Sequence, residues 1–439
     1  MDRLPILQIS QELLSALWSG ILKKVVSPIN PQASMKVVHL TTSSRGGAGI
    51  AALRLHEALR EVGVVSAFVS TDCTINFEGE KISDSFFEYR RTSFWKRLLR
   101  KISSAQKDRL QNRWEQLKPH LTYEIANLPF SRYAMEEHPL VQQANLVHLH
   151  WVGRLVDYPT FFQKLEKPLV WTLHDMNPFL GLFHYKTDLQ RNPQAEELDM
   201  KIRTLKKEAL QTIGKGTIVS PSQWLLNAAK ESEVFQKFDA FYCIPNSLGI
   251  TPWKAERQKV RERLNLTEDT HAILFTAGSL DNPRKGMDIL LVALEKLTTP
   301  VTLLTLGKGT VSCFNTHVKV IPLGFIDSQE ALAETYAAAD VFVLPSREDN
   351  FPNTLLEALS VGTPVISFQT GGMCEVIEPG FNGDLIEEMN PEALAKAIER
   401  FFQNKQIMNR QAIRETAQQK FQYINQIAAY REAYQQLIT

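Results

Sequence analysis

The chain predicts two doubly wound α/β domains, on three observations. Its 439 residues exceed what one hydrophobic core usually holds. From Met35 onward, short apolar runs alternate with longer helical stretches, the pattern of parallel strands covered by helices on both faces. The alternation pauses once, at Pro245-Asn246-Ser247, crosses the polar stretch 254–263 and restarts.

In the first half, strands are expected at 36–41, 64–71, 145–151, 169–174, 217–220 and 241–244, with helices such as 50–62 and 200–213 between them. The second half offers strands at 272–277, 301–306, 318–322, 341–345 and 364–368. Helices at 286–297, 329–338, 354–361 and 391–402 separate these strands. The glutamine-rich stretch 407–438 reads as helical. The expected division is therefore a helical extension over 1–34, domains over 35–246 and 247–404, and C-terminal helices over 405–439. In the extension, Leu14, Leu17, Trp18, Ile21 and Val25 fall at helical spacing beside Lys23 and Lys24. A basic helix is also expected from Phe94 to Lys118, opening with Lys96, Arg97, Arg100 and Lys101. Two readings stay open for each segment. One is peripheral contact with an anionic membrane, where a nearby cation contributes ~1 kcal/mol. The other is an apolar stripe packed on the domain.

Composition excludes several classes. Hydrophobic content of 44% and charged content of 22% suit a soluble globular chain, and a net charge of +1 gives no global drive toward nucleic acid. Cys73, Cys243, Cys313 and Cys374 are scattered without C-x-x-C spacing, so neither a structural zinc site nor a disulfide framework is expected. Asp2 and the polar residues Gln8, Gln11 and Glu12 interrupt what an export signal would need. No run approaches the ~20 apolar residues of a membrane span. A cytoplasmic protein is expected, with the inner face of the plasma membrane as an open location.

Four constellations carry chemistry. The first is the run from Pro345 to Ile366, a strand end, a turn, a helix and the next strand. Asp349 and Glu357 bracket the turn, placing carboxylates beside free helix N–H groups, which suits a polyhydroxylated ligand bearing a diphosphate. Thr354-Leu355-Leu356-Glu357 also fits a capping box, a purely structural role. The second is the loop Gly278–Gly286, holding Arg284 and Lys285 after a strand. The third, Gly46-Gly47-Ala48-Gly49 with Asp72 closing the next strand, formally fits a dinucleotide fingerprint. The fourth is His174-Asp175 at the carboxyl end of a strand. His148 and His150 share one strand face, which suggests metal ligands less than a buried pair at the cleft.

The strings Glu348–Asn353 and Glu357–Val365, followed by Thr370-Gly371-Gly372, resemble the acidic-pair motif of retaining glycosyltransferases of the GT-B fold, family 4. The resemblance spans about 35–402 and is strongest in the second half. It implies two Rossmann-like domains facing a cleft, with the last helix crossing back onto the first domain. It further implies transfer of a sugar from a nucleotide-diphosphate sugar to a hydroxyl of a glycan or lipid-linked acceptor, in polysaccharide or cell-surface glycan synthesis, with neither cofactor nor metal. His174, Asp349 and Lys285 match the reacting centre. Glu357, Arg284, Gly278, Phe325, Asn353, Thr354 and Glu348 match the donor side, and Gly46 and Gly47 the glycine loop lining the cleft. The family's first acid is a glutamate eight positions before the second, and aspartate stands there in this chain. The arginine that many members carry after the first glycine of the basic loop is replaced by Ser279. Two rival readings remain: an NAD-dependent oxidoreductase using the Gly47–Gly49 turn, and a GT-B protein that has lost catalysis.

Overall fold

The computed structural model describes residues 35–83, 101–403 and 408–438, with side chains from 105 onward in the helix that begins at Lys101. The expected extension 1–34 and the start of the basic helix, 94–100, lie outside the described residues.

Eight strands form the first sheet: β1 (Lys36–Leu40), β2 (Val65–Val69), β3 (Thr74–Ile75), β4 (Lys81–Ile82), β5 (Leu146–Leu149), β6 (Leu169–Thr172), β7 (Gly216–Ser220) and β8 (Ala240–Cys243). They lie in the order β4-β3-β2-β1-β5-β6-β7-β8. All pairs are parallel except the small β2-β3-β4 edge. Six form the second: β9 (Ala272–Ser279), β10 (Val301–Lys308), β11 (Val318–Gly324), β12 (Val341–Leu344), β13 (Val365–Phe368) and β14 (Gly383–Ile386), ordered β11-β10-β9-β12-β13-β14. The two doubly wound α/β domains expected from the alternation are present. β3 and β4 were not expected because two-residue strands carry no periodicity. β14 was hidden because Asn382-Gly383 reads as a turn and only Leu385 and Ile386 follow as apolar residues.

The central parallel strands of each sheet are buried on both faces, as strands covered by helices on either side must be. Leu40, Leu149, Trp171 and Ile218 pack on one side of the first sheet. On the other, Val37, Leu146, Val170 and Val219 meet the helix Tyr423–Ile438 through Ile427, Tyr430, Tyr434 and Leu437. These four recur at the three- and four-residue spacing of one helical face. Burying Ile427 and Leu437 contributes about 1.5–3 kcal/mol each. The final helix therefore does cross back to the first domain.

The stretch 407–438, expected to be helical, holds two helices, and only the second packs on the first domain. The helix Arg410–Lys420 stays on the second domain, where Ile413 and Ala417 join the core beside Leu355 and Leu359. Arg410 fixes it there, donating to the Ala339 carbonyl at 3.1 Å and to Thr363 Oγ1 at 2.7 Å. Only after Phe421, buried in that same core, does the chain leave for the first domain.

Candidate functional site

Strand order reverses direction between β1 and β5 in the first sheet and between β9 and β12 in the second. At such a switch point the loops leaving the strand ends diverge and open a crevice. The glycine loop follows β1, Trp151–Arg154 follows β5, the basic loop follows β9 and the acidic run follows β12. All four therefore line crevices set by topology alone.

The loops of the second domain lock together through glycine. Gly286 has φ +76°, and a Cβ there would stand 2.0 Å from the Pro345 carbonyl oxygen. Gly371, at φ +58°, would place one 1.7 Å from the Asp349 carbonyl. A side chain at Gly286 would push the basic and acidic loops apart, and one at Gly371 would push the acidic run from the loop after β13.

Lys285 Nζ donates to Asp349 Oδ2 at 2.5 Å. Arg284 Nη1 reaches the same oxygen at 3.2 Å and donates to the Glu348 carbonyl at 3.0 Å. The other edge of this guanidinium meets Glu124 of the first domain, with Nη2 3.1 Å from Oε1, and its plane lies 4.5 Å over the Tyr185 ring. Burial pushes the Asp349 carboxyl up, but the Lys285 and Arg284 charges outweigh it and hold Asp349 below the usual range. Burial lowers Lys285 despite its carboxylate partner. Two cations against two carboxylates leave this cluster near neutral.

Glu357 departs from expectation. The helix Asn353–Ser360 is capped by Pro352 without any side-chain hydrogen bond, so the capping box does not form and Glu357 sits in the second turn rather than the first. Its Oε1 accepts from Arg54 Nη2 of the first domain at 2.9 Å, and its Oε2 from the Tyr336 hydroxyl at 3.2 Å. Neighbouring contacts also bridge the domains. Glu348 Oε2 accepts from Thr187 Oγ1 at 2.8 Å, and Asn353 Nδ2 donates to the Gly47 carbonyl at 2.9 Å. Asn350 Nδ2 reaches the His174 carbonyl at 3.3 Å. The cleft is closed over these polar residues. Thr354 is half-buried, while Gly278 and Phe325, the latter 62% exposed, stand at the ends of β9 and β11 outside the ion cluster. Gly46 opens its helix at φ +72°.

His174 heads a row of imidazoles that includes His150, expected to be buried at the cleft, and ends at His39, which sequence reading missed. Its Nε2 lies 3.2 Å from His150 Nδ1, and His150 Nε2 lies 3.0 Å from His39 Nδ1. Burial drives His174 down to about 4, against the pull of Asp175, and lowers His39 and His150 well below 6.5. All three rings are thus neutral at pH 7, with one proton each. If the protons point toward the cleft, His39 Nε2 is a bare lone pair. If they point away, it becomes a buried N–H with no partner among the described residues, costing about 1–3 kcal/mol. An orphaned N–H is the rarer and costlier of the two defects. The row therefore runs toward His174, leaving its Nδ1 as a hydrogen-bond donor. Long-range 15N–1H correlation spectra should show His150 and His174 as Nδ1–H tautomers, and an Nε2–H signal for His174 would refute the direction.

Among the described residues, His39, His148 and His150 bring ligand atoms within 4.8 Å of one another. The His148 nitrogens are engaged by Tyr434 and Thr172, both at 2.7 Å, and those of His150 by its neighbouring rings. A metal would have to displace at least one bond of His148 and one of His150. The dinucleotide fingerprint fares no better. Asp72 Oδ1 accepts from Ser44 N at 2.8 Å and Oδ2 from Ser43 Oγ at 2.9 Å, so the acid that would read a ribose holds the glycine loop instead.

Glu124, Arg54, Tyr185 and Thr187 carry no motif that would have marked them. Their roles arise from the approach of one domain to the other.

Residues 271–404 match the family model described as glycosyl transferases group 1. An uncharacterized glycosyltransferase of Methanocaldococcus jannaschii is 31% identical over 169 residues, 35% of this chain and 43% of that protein. A D-inositol 3-phosphate glycosyltransferase of Streptomyces griseus is 28% identical over 307 residues, 61% of each. The chain thus spans less than two thirds of the length of these curated relatives. Among solved structures, sucrose-phosphate synthase of Thermosynechococcus elongatus superposes with a TM-score of 0.61 at 19% identity, covering 92% of this chain and 99% of that one. Anabaena HepE in complex with UDP-glucose gives 0.56 at 20% identity, covering 91% and 100%. These likenesses establish the fold as GT-B.

Proposed function

We propose that the protein is a retaining glycosyltransferase that moves a sugar from a nucleotide-diphosphate sugar to an acceptor hydroxyl. The carrying observation is the Arg284–Lys285–Asp349 cluster at the second domain's switch point, inside the region matched by the glycosyl transferases group 1 model. In the reaction, the bond from the anomeric carbon to the diphosphate oxygen breaks and a bond to the acceptor oxygen forms. The acceptor's proton leaves with the diphosphate. Negative charge grows on the leaving group, and fixed cations favour that state over the ground state. Lys285 and Arg284 exchange a carboxylate for the diphosphate, which frees Asp349 to accept hydrogen bonds from sugar hydroxyls. His174, as a neutral donor, serves the same sugar. Glu357 turns to the ribose once Arg54 releases it.

Retention and family 4 membership rest on the resemblance of the run 345–366. Independence from a metal is supported by the two side-chain cations, which supply positive charge where the diphosphate would lie. A UDP-sugar donor fits the UDP-glucose seen in HepE. An acceptor in polysaccharide or cell-surface glycan synthesis, at the cytoplasmic membrane face, extends the same reading; no helix among the described residues is long and apolar enough to span a membrane.

Nucleoside diphosphate release measured across UDP-, GDP- and ADP-sugars, with EDTA present, tests the proposal. Turnover with one base and no loss in chelator is expected. Binding of NADH without any nucleotide-sugar turnover would instead favour an oxidoreductase. Tight nucleotide binding without release under any acceptor would indicate a GT-B protein that has lost catalysis.

A further inference from the structure

We propose that Lys206 is a positioning residue of the transferase: its buried ammonium holds the loop 173–185, which carries His174 near one end and Tyr185 at the other; this rests on the glycosyltransferase reading above. Lys206 lies on the helix Glu196–Leu210 and is 1% exposed. Its Nζ donates to the Asn177 carbonyl at 2.5 Å and the Gly181 carbonyl at 2.7 Å. The Leu180 carbonyl and Asn177 Oδ1 complete the set, each at 3.2 Å. Three N–H groups thus serve four oxygens drawn from one loop, which suits a cation. A neutral amine would aim its lone pair at one of those oxygens. The carboxylates that act on the ammonium, Asp199 and Asp175, are engaged elsewhere in the same structure. Asp199 accepts from Gly181 N at 3.2 Å and from Leu182 N at 2.6 Å. Asp199 and Lys206 stand about two turns apart on one helical face. One takes the loop's N–H groups and the other its carbonyls. The approach is close, since a Cβ on Gly181 would stand 1.9 Å from the Asp199 carbonyl oxygen.

The loop so held is the one that meets the reacting centre. Asn177, gripped through both of its oxygens, donates its backbone N–H to Asp175 Oδ1 at 2.9 Å. Asp175 Oδ2 accepts in turn from Trp151 Nε1 at 2.9 Å and from His184 Nδ1 at 2.6 Å. His174 adjoins Asp175 in the chain, and Tyr185, whose ring lies under Arg284, adjoins His184. The ammonium is therefore tied through Asn177 and Asp175 to the neighbours of both. Burying a charge with no adjoining carboxylate is costly, and a methionine of similar length would fill the same space without that cost. The charge serves the position of the loop, not the cohesion of the core.

Loss of the Lys206 proton undoes this grip, so the rate should fall as the pH rises through neutrality. Burial lowers Lys206 to about 7 against the pull of Asp199 and Asp175. The Tyr158 ring, 5.5 Å away on the helix Tyr158–Lys164, brings no charge, because burial pushes its hydroxyl up. Stability moves the other way. The native value lies below the ordinary 10.5, so between the two the unfolded chain binds more protons and this group's contribution to stability rises with pH. A rate that falls while Tm does not separates positioning from unfolding.

The test measures kcat and Tm of the whole protein from about pH 6.5 to 9, beside Lys206→Arg and Lys206→Met, with the nucleotide sugar that it turns over. Lys285 is also lowered by burial and can give an alkaline limb of its own, so the variants decide. Lys206→Arg keeps its charge throughout and should move the limb upward or remove it. Lys206→Met should lose on the order of 10–100-fold in kcat, because misplaced reacting groups are read there, while UDP affinity stays within about twofold of wild type. An alkaline limb unchanged in Lys206→Arg, or a Lys206→Met enzyme within about threefold of wild type, overturns the proposal. Should neither variant fold, hydrogen exchange on the wild type decides. The amides of 179–184 should lose protection through the same midpoint as kcat, and protection that stays constant there overturns the proposal. Should the wild type bind UDP yet turn over no nucleotide sugar, the transferase reading fails by itself, and that exchange measurement still decides whether the ammonium holds the loop.

Discussion

Lys285→Ala should lower kcat by on the order of 10²–10³-fold while the protein stays folded, the usual effect of deleting one preorganised group that meets charge developing in the transition state. The fold survives because Asp349 retains Arg284 at 3.2 Å and a backbone N–H of Asn350 at 3.1 Å, so no buried carboxylate is stranded. Asp349→Ala should cost comparably for a different reason. It strips the hydroxyl acceptor from the sugar pocket and leaves Lys285 and Arg284 repelling one another. Steady-state kinetics on the donor identified above, paired with Tm, measures both. A Lys285→Ala enzyme within threefold of wild type would remove the cation cluster from the mechanism.

Mild acid should unfold the first domain before the carboxylates titrate. His39, His148 and His150 are held neutral by burial well below 6.5, and His56 is pushed down to about 3. In the unfolded chain each accepts a proton near pH 6.5. Their native values are depressed, so the unfolded state binds more protons below 6.5; stability is intact above that pH and falls as the pH drops toward the native values. Each such group tilts stability by about 1.4 kcal/mol per pH unit once well below 6.5, and the four together by roughly 5 kcal/mol per unit. That rivals the ~5–15 kcal/mol total of a typical domain. Asp349 and Asp175 are held below the usual carboxylate range, so they stay ionised through this window. Near-UV circular dichroism against pH should show a cooperative loss between about pH 6 and 5. A signal and Tm unchanged down to pH 4.5 would contradict the neutral imidazole row.

The sequence by itself determined which residues stand at the strand ends. A parallel strand followed by a helix must deliver the intervening loop to its carboxyl edge, so Lys285 after β9, Asp349 after β12 and His174 after β6 were placed by alternation alone. Glycines at Gly286 and Gly371 were legible as turn residues, though not the carbonyls they accommodate. Tertiary structure alone decided the partners. Arg284 meets Glu124, 160 residues away, and Glu357 meets Arg54, 303 residues away, because the two domains close on each other. Likewise the imidazole row exists only because β1, β5 and β6 become neighbours, with His39 in register with His148. Local pattern fixes backbone direction within a few residues; which side chains share a proton or a charge depends on distances that no local pattern encodes.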